Sequence, residues 1–177
     1  MADYLLDTNI VSYWYDASRP QHSQVLKRID AVKQPSAING YVPRLYVSVV
    51  TLGEIEYGHR VAPAPGTSEQ AEYQRFVREQ FPEVLEMTDD AAEHYGELRA
   101  WLFDNCGPRA KRSKARRAEE LVHPTTGREL GIDENDIWIA AQAKTHNLVL
   151  VTHDSRGNLG KVLRQFAQSL VVEDWAS

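Results

Sequence analysis

Short apolar runs alternate along this chain with longer stretches in which apolar residues recur every three or four positions. Tyr4-Leu5-Leu6, Leu45-Tyr46-Val47, Val149-Leu150-Val151-Thr152 and Leu170-Val171-Val172 are too short for helices and read as buried strands, with another at Val84–Met87. The longer period predicts helices over Asn9–Tyr15, from Pro20 to about Val32, and over Val49–Arg60, Thr67–Phe81, Asp89–Phe103 and Asp133–Thr145. In the fifth of these, Ala92, Tyr95, Leu98 and Leu102 mark one face. Punctuation agrees with the pattern. Pro20 suits a first helical position, Ser68 is read as a cap, and Pro63-Ala64-Pro65-Gly66 stops the third helix. Lys33–Pro43 is a loop. Gly107–Gly131 breaks the rhythm and reads as an excursion from the core, partly helical over Ser113–Val122. Strands alternating with helices predict an α/β fold with a mainly parallel sheet.

Length and charge refine this. A chain of 177 residues fits one domain, 1–177, with a full core. No run approaches the roughly 18 apolar residues of a membrane span, so no membrane role is expected. A strand from Tyr4 leaves no room for a signal peptide. The lone cysteine, Cys106, excludes an intrachain disulfide and fits a reducing cytoplasm. The net charge of −5 argues against a uniformly basic nucleic-acid binder, but the average hides a polarity. Arg109, Lys111, Arg112, Lys114, Arg116 and Arg117 stand in nine residues without an acid; elsewhere 14 basic residues face 25 acidic ones, a balance of −11. Such a segment is either a solvated surface or a contact for RNA phosphates or an acidic protein face.

Four acids carry the candidate chemistry. Asp7 ends the first strand, Glu54 lies on a largely apolar helix, Asp136 opens Ile137-Trp138-Ile139-Ala140-Ala141, and Asp154 follows the fourth strand. Carboxylates at the carboxyl ends of parallel strands converge on one crevice, and crowded like charges call for a divalent cation. Each acid has an ordinary alternative. Asp7 and Asp154 are also good helix caps. Glu54 could pair with an arginine. Asp133 and Asp136 have the spacing of a capping box, which leaves Asp133 either a cap or a fifth acid. Asn9, Ser48 and Thr152 are candidates for orienting carboxylates or a substrate phosphate. An Asp-x-Asp nucleophile would need an acid where Asn9 stands. Paired zinc ligands, phosphate-binding glycine loops and a Gly-x-Ser-x-Gly elbow are all absent.

Taken together, Leu6-Asp7-Thr8-Asn9, Ser48-x-x-Thr51-x-Gly53-Glu54-Ile55-x-Tyr57-Gly58, Asn135-Asp136-x-Trp138-Ile139-Ala140-Ala141, Leu150-Val151-Thr152-His153-Asp154 and Val172-Glu173-Asp174-Trp175 span nearly the whole chain. In this set the chain resembles the PIN-domain ribonucleases, and within them the VapC-type toxins of bacterial toxin–antitoxin pairs. The resemblance implies a three-layer α/β/α sandwich, Mg²⁺ or Mn²⁺, a single-stranded or structured RNA substrate, a homodimer and an antitoxin partner. Asp7 and Asp136 are the expected direct metal ligands, with Glu54 and Asp154 acting through water or a second metal. Val11, Trp14 and Tyr15 are read as a pairing surface or, alternatively, as core. Two departures stand out. Ser155-Arg156-Gly157-Asn158-Leu159 follows the fourth acid where such toxins often carry further acids, and the chain is longer, chiefly in Lys33–Pro43 and Gly107–Gly131. Two other functions stay open: a PIN nuclease of RNA maturation or decay, and a non-catalytic RNA-binding module.

Overall fold

The computed structural model describes residues 2–38, 40–64, 66–107, 117–153, 160, 162–163 and 170–177. Five strands form one sheet: β1 (Tyr4–Leu6), β2 (Leu45–Ser48), β3 (Val84–Leu85), β4 (Val149–Val151) and β5 (Val172–Glu173). Their order is β3-β2-β1-β4-β5, and every pairing is parallel. Parallel neighbours need crossovers, which helices provide. These are α1 (Thr8–Tyr15), α2 (His22–Val32), α3 (Val49–Val61), α4 (Ser68–Gln80), α5 (Asp89–Cys106) and α6 (Glu134–Thr145).

Strand residues point alternately to opposite faces, and both faces are covered. Leu5, Tyr46 and Leu150 face a core built on Leu98 and Leu102 of α5 and Ile137, Ala140 and Ala143 of α6. Leu6, Val47, Val149 and Val151 face a second core with Ile10 and Trp14 of α1, Val25 and Ile29 of α2, Ile55 of α3 and Val77 of α4. The result is a three-layer α/β/α sandwich. The central strand is β1, whose carboxyl end lies where the connections diverge to β2 on one side and β4 on the other. In open α/β sheets that switch point is the usual place for a site.

Several boundaries differ from expectation. The fourth helix is capped by Thr67, not Ser68; Gln70 answers back to the Thr67 backbone and completes a capping box. The second helix starts at His22, because a turn through residues 17–21 intervenes after Pro20. The third strand stops at Leu85. The last strand is Val172–Glu173, where hydrophobicity pointed to Leu170–Val172. Its register is set by backbone bonds from Leu150 N–H to Val171 and from Thr152 N–H to Glu173. The polar Glu173 is tolerated at this edge because its carboxylate accepts the Trp175 indole N–H at 2.7 Å.

The stretch read as an excursion is core again by its second half. Ala118, Leu121 and Leu130 are buried against α5 and α6, and Val122 N–H bonds to the Cys106 carbonyl at 2.8 Å. Of the helix expected at Ser113–Val122, the first residues lie outside the described ones; Ala118–Glu120 is a single 3₁₀ turn. Gly107 ends α5 for a steric reason: a Cβ there would sit 2.4 Å from the Phe103 carbonyl oxygen. Val11 and Trp14 are buried, with Trp14 edge-on to Phe76 and Phe81, so the core alternative holds for both and neither offers a pairing surface. No helix among the described residues is long and apolar enough to cross a membrane.

Candidate active site

The site grows from the turn that closes β1. Asp7 leaves the strand in extended conformation and caps α1, its Oδ1 accepting Thr8 N–H at 2.7 Å. Its other oxygen, Oδ2, accepts Asn9 Nδ2–H at 2.8 Å and the Thr152 hydroxyl at 2.7 Å. Asn9 reaches further, its Oδ1 accepting His153 N–H at 3.1 Å. Asn9 and Thr152 thus lock the carboxyl ends of β1 and β4 together and fix the rotamer of Asp7. The capping alternative for Asp7 is true and incomplete, since a cap alone would not need two further donors.

Glu54 sits on α3 with both oxygens engaged. Oε2 accepts the Thr8 hydroxyl, and Oε1 accepts Asn135 Nδ2–H at 2.8 Å. It therefore bridges the starts of α1 and α6, in place of the arginine that its apolar surroundings suggested. Asn135 is the residue that sequence reasoning passed over. Its signal was a carboxamide beside Asp136 in the first turn of an apolar helix.

Asp133 and Asp136 form the expected capping box. Asp133 Oδ1 accepts Asn135 N–H at 2.8 Å and Asp136 N–H at 3.0 Å, and Asp136 Oδ2 accepts Asp133 N–H at 2.8 Å. Asp133 is exposed, while Asp136 is half-buried and turned toward the other acids. Ser48 caps α3 by accepting Val50 N–H at 2.9 Å. The His153 ring approaches Asp174 at 3.1 Å and meets Tyr13 edge-on, so it is held on the β5 side. Asp154 lies outside the described residues, as do Arg109, Lys111, Arg112, Lys114 and Arg116; Arg117 is described and exposed.

The electrostatics follow from this crowding. Only 6% of Asp7 is exposed, and burial pushes its carboxyl up to about 6, against the pull of the Thr152 and Thr8 hydrogen bonds and with further push from Glu54 and Asp133. Asp136 rises to about 7, again chiefly through burial, with repulsion from Asp133, Asp7 and Glu54 behind it. Two acids raised by burial and by neighbouring carboxylates form a pocket of negative potential. Such clusters mark functional sites more often than structural ones.

Whether a cation fits can be judged from the donors. All are oxygens, the set a hard divalent ion prefers. Among the described residues no three acids, histidines or cysteines are gathered closely enough to form a ready cage. Mg²⁺ does not require one, because it keeps several waters and binds through one or two carboxylates.

The raised carboxyls make a prediction with a definite sign. A group whose pKa is higher in the fold than in the unfolded chain costs stability as pH rises through that interval. Raising Asp7 from the ordinary 3.8 to about 6 costs the metal-free fold about 3 kcal/mol above pH 7. The metal-free protein should therefore melt at a lower temperature at pH 8 than at pH 5, and millimolar Mg²⁺ should restore part of the difference at pH 8. A melting temperature that climbs steadily from pH 5 to pH 8 would contradict the buried-acid description.

Comparison with known proteins bears on the family and the fold. The family pattern described as PIN domain matches residues 4–162. Ribonuclease VapC2 of Haemophilus influenzae is 29% identical over 180 residues, covering 99% of each chain. Among solved structures, DNA-bound VapBC from Salmonella typhimurium aligns over 99% of both chains with a TM-score of 0.62 and 24% identity. VapBC2 from Rickettsia felis, bound to a fragment of promoter DNA, covers 97% of this chain and 98% of its own with a TM-score of 0.61 and 19% identity. The structural likenesses bear on the fold, and the sequence pattern, which runs from β1 to beyond β4, decides the family: this chain belongs to the PIN domain family.

Proposed function

We propose that the protein is a Mg²⁺- or Mn²⁺-dependent endoribonuclease that cleaves single-stranded RNA and serves as the toxin of a toxin–antitoxin pair. The observation that carries this reading is that Asp7, Glu54 and Asp136 lie within electrostatic reach of one another near the switch point of a parallel sheet, two of them with carboxyls raised toward neutrality. The likeness to Ribonuclease VapC2 over the full chain supports the ribonuclease and toxin parts. A cytoplasmic location, a second copy as dimer partner and an antitoxin protein belong to the same proposal.

Asp7 and Asp136 would hold the cation directly. When bound, the cation would lower the pKa of a water and offset charge on the leaving oxygen. The protein's own work is positional. Thr152 and Asn9 keep Asp7 in one orientation. Thr8 and Asn135 occupy both oxygens of Glu54, which suits that residue to ordering water or substrate from a fixed place rather than to direct ligation. Asp154 is proposed to act beside Glu54, and Asp133 to hold Asp136 through the capping box. Ser48, whose hydroxyl caps α3, would contribute by placing the helix that carries Glu54.

The test is cleavage of a mixed RNA pool by the purified protein. Cutting with Mg²⁺ or Mn²⁺, loss of cutting on chelation, and 5′-phosphate ends are expected. Intact RNA under all these conditions would leave a non-catalytic RNA-binding module as the better reading. The basic segment adds a further expectation. If it meets phosphates, replacing Arg112, Lys114, Arg116 and Arg117 by Gln should flatten the salt dependence of RNA binding, by about 0.7 in log–log slope per lost contact on single strands. The rate at saturating RNA should stay within about twofold, because binding and not chemistry is touched. An unchanged slope together with an unchanged affinity for the antitoxin would return the segment to solvated surface.

A further inference from the structure

A cavity of about 470 Å³ lies between α1, the end of α3 and the start of α4. Its walls include Ser12 and Tyr15 from α1, His59 and Ala62 from α3, and Gln70 and Tyr73 from α4. The aromatic wall is built in detail. Tyr15 and Tyr73 lie with centroids 4.6 Å apart at 33°, and His59 meets Tyr73 edge-on at 5.7 Å. Ser12 Oγ and the Tyr73 hydroxyl are hydrogen-bonded at 3.1 Å. The His59 Nδ1 atom is buried and has no hydrogen-bond partner among the described residues.

The position of this cavity ties it to the acids. Thr8, Ser12 and Tyr15 follow one another at four- and three-residue spacing, so they share a face of α1. Thr8 touches Glu54 at the start of that face, and Ser12 lies just over one turn on, about 6 Å further along the axis. α1 begins at Asp7, α3 carries Glu54, and both helices line the cavity further along. A chain held at Asp7 and Asp136 that runs along α1 would come to the aromatic wall.

The charges select what part of such a chain can enter. Asp16 and Glu69 line the cavity, and its one guanidinium, Arg19, is spent on Asp16 at 3.1 Å. A phosphate would face the Glu69 carboxylate, which that guanidinium does not compensate. A neutral, planar ring would meet the faces of Tyr15 and Tyr73 there.

We propose that this cavity is a nucleobase subsite: it stacks the base of a nucleotide adjoining the scissile bond against the Tyr15–Tyr73 pair, while the RNA backbone stays outside. The proposal rests on the RNA-cleaving reading above and specifies how substrate is held next to the cut.

The experiment uses the full-length protein and an RNA oligonucleotide with a mapped cleavage site. Abasic nucleotides are scanned across the positions flanking the cut, and kcat and KM are measured for wild type, Tyr15→Ala and Tyr15→Phe. One flanking abasic position should raise the wild-type KM about tenfold with kcat within about twofold, the usual scale for losing one stacked base. Tyr15→Ala should raise KM for intact RNA by a similar factor and show no further loss with the abasic RNA. Tyr15→Phe, which keeps the ring, should behave as wild type. If Tyr15→Ala leaves KM unchanged, or weakens intact and abasic RNAs equally, the subsite is refuted and the cavity is left to a protein partner. Wild type that cuts no RNA with Mg²⁺ or Mn²⁺ would overturn the ribonuclease reading and the subsite together, a result distinct from an active enzyme indifferent to Tyr15.

Discussion

Asp7→Asn should lower RNA cleavage by about 100-fold or more while leaving the fold intact. Losing one charge from a preorganised, water-poor site typically costs that much. The substitution keeps the shape of the side chain and removes the charge that a cation would neutralise. Its stability effect should run the other way. In metal-free buffer at pH 8 the wild-type protein carries a buried carboxylate that would ionise freely only when unfolded, and the amide carries no such cost. The gain is bounded by one mismatch. Oδ1 of Asp7 accepts Thr8 N–H and Oδ2 accepts from both Asn9 and Thr152, so an amide that keeps its oxygen toward Asn9 and Thr152 must turn its NH₂ toward the Thr8 N–H. In the reverse orientation the Thr152 hydroxyl can rotate to accept, whereas Asn9 Nδ2 cannot. The expected outcome is a melting temperature equal to or a few degrees above wild type at pH 8, with activity lost. Wild-type cleavage rates in the variant would remove Asp7 from the chemistry altogether.

Asp136→Asn separates two roles that the structure superimposes. The side chain answers the Asp133 N–H within the capping box, and it also lies in the field of Asp7 and Glu54. An asparagine oxygen can still accept the Asp133 N–H, so the substitution should cost at most about 1 kcal/mol of stability. If Asp136 is a metal ligand, cleavage should fall about 100-fold or more. If it only caps, cleavage should stay at the wild-type level. Asp133→Asn is the companion measurement. It retains an accepting oxygen at an exposed cap, and activity within about tenfold of wild type would assign Asp133 to positioning rather than to ligation.

Much of this was legible because parallel strands buried on both faces read as short continuous apolar runs. Leu5 and Leu6 serve opposite cores one residue apart, and that demand is visible in the sequence. The edge of the sheet was less legible. At β5 the pairing is fixed by backbone bonds to β4, which are indifferent to hydrophobicity, so the apolar run pointed two residues too early. The acids were visible as residue types in suggestive places, but their partners were not. Nothing local announces that Asn135 will reach Glu54, 81 positions earlier, or that Thr152 will donate to Asp7 across 145 positions. Such bonds depend on the strand order. Trp14 shows the converse error, since an aromatic on a short helix looks like a sticky surface until Phe76 and Phe81 are placed beside it.

The central position of β1 has a consequence for the order in which the chain is made. The strand nearest the amino terminus pairs on one side with β2 and on the other with β4, through Tyr4 with Val149 and Leu6 with Val151. During synthesis, β1, β2 and β3 can associate early, but the far flank of β1 stays open until β4 has left the ribosome. Asp7 gains its Thr152 donor, and Asn9 its His153 anchor, only at that moment. A chain still in the act of translation thus holds its first carboxylate in an unfinished cleft. The sheet order itself delays the completion of the Asp7 surroundings until β4 has been made.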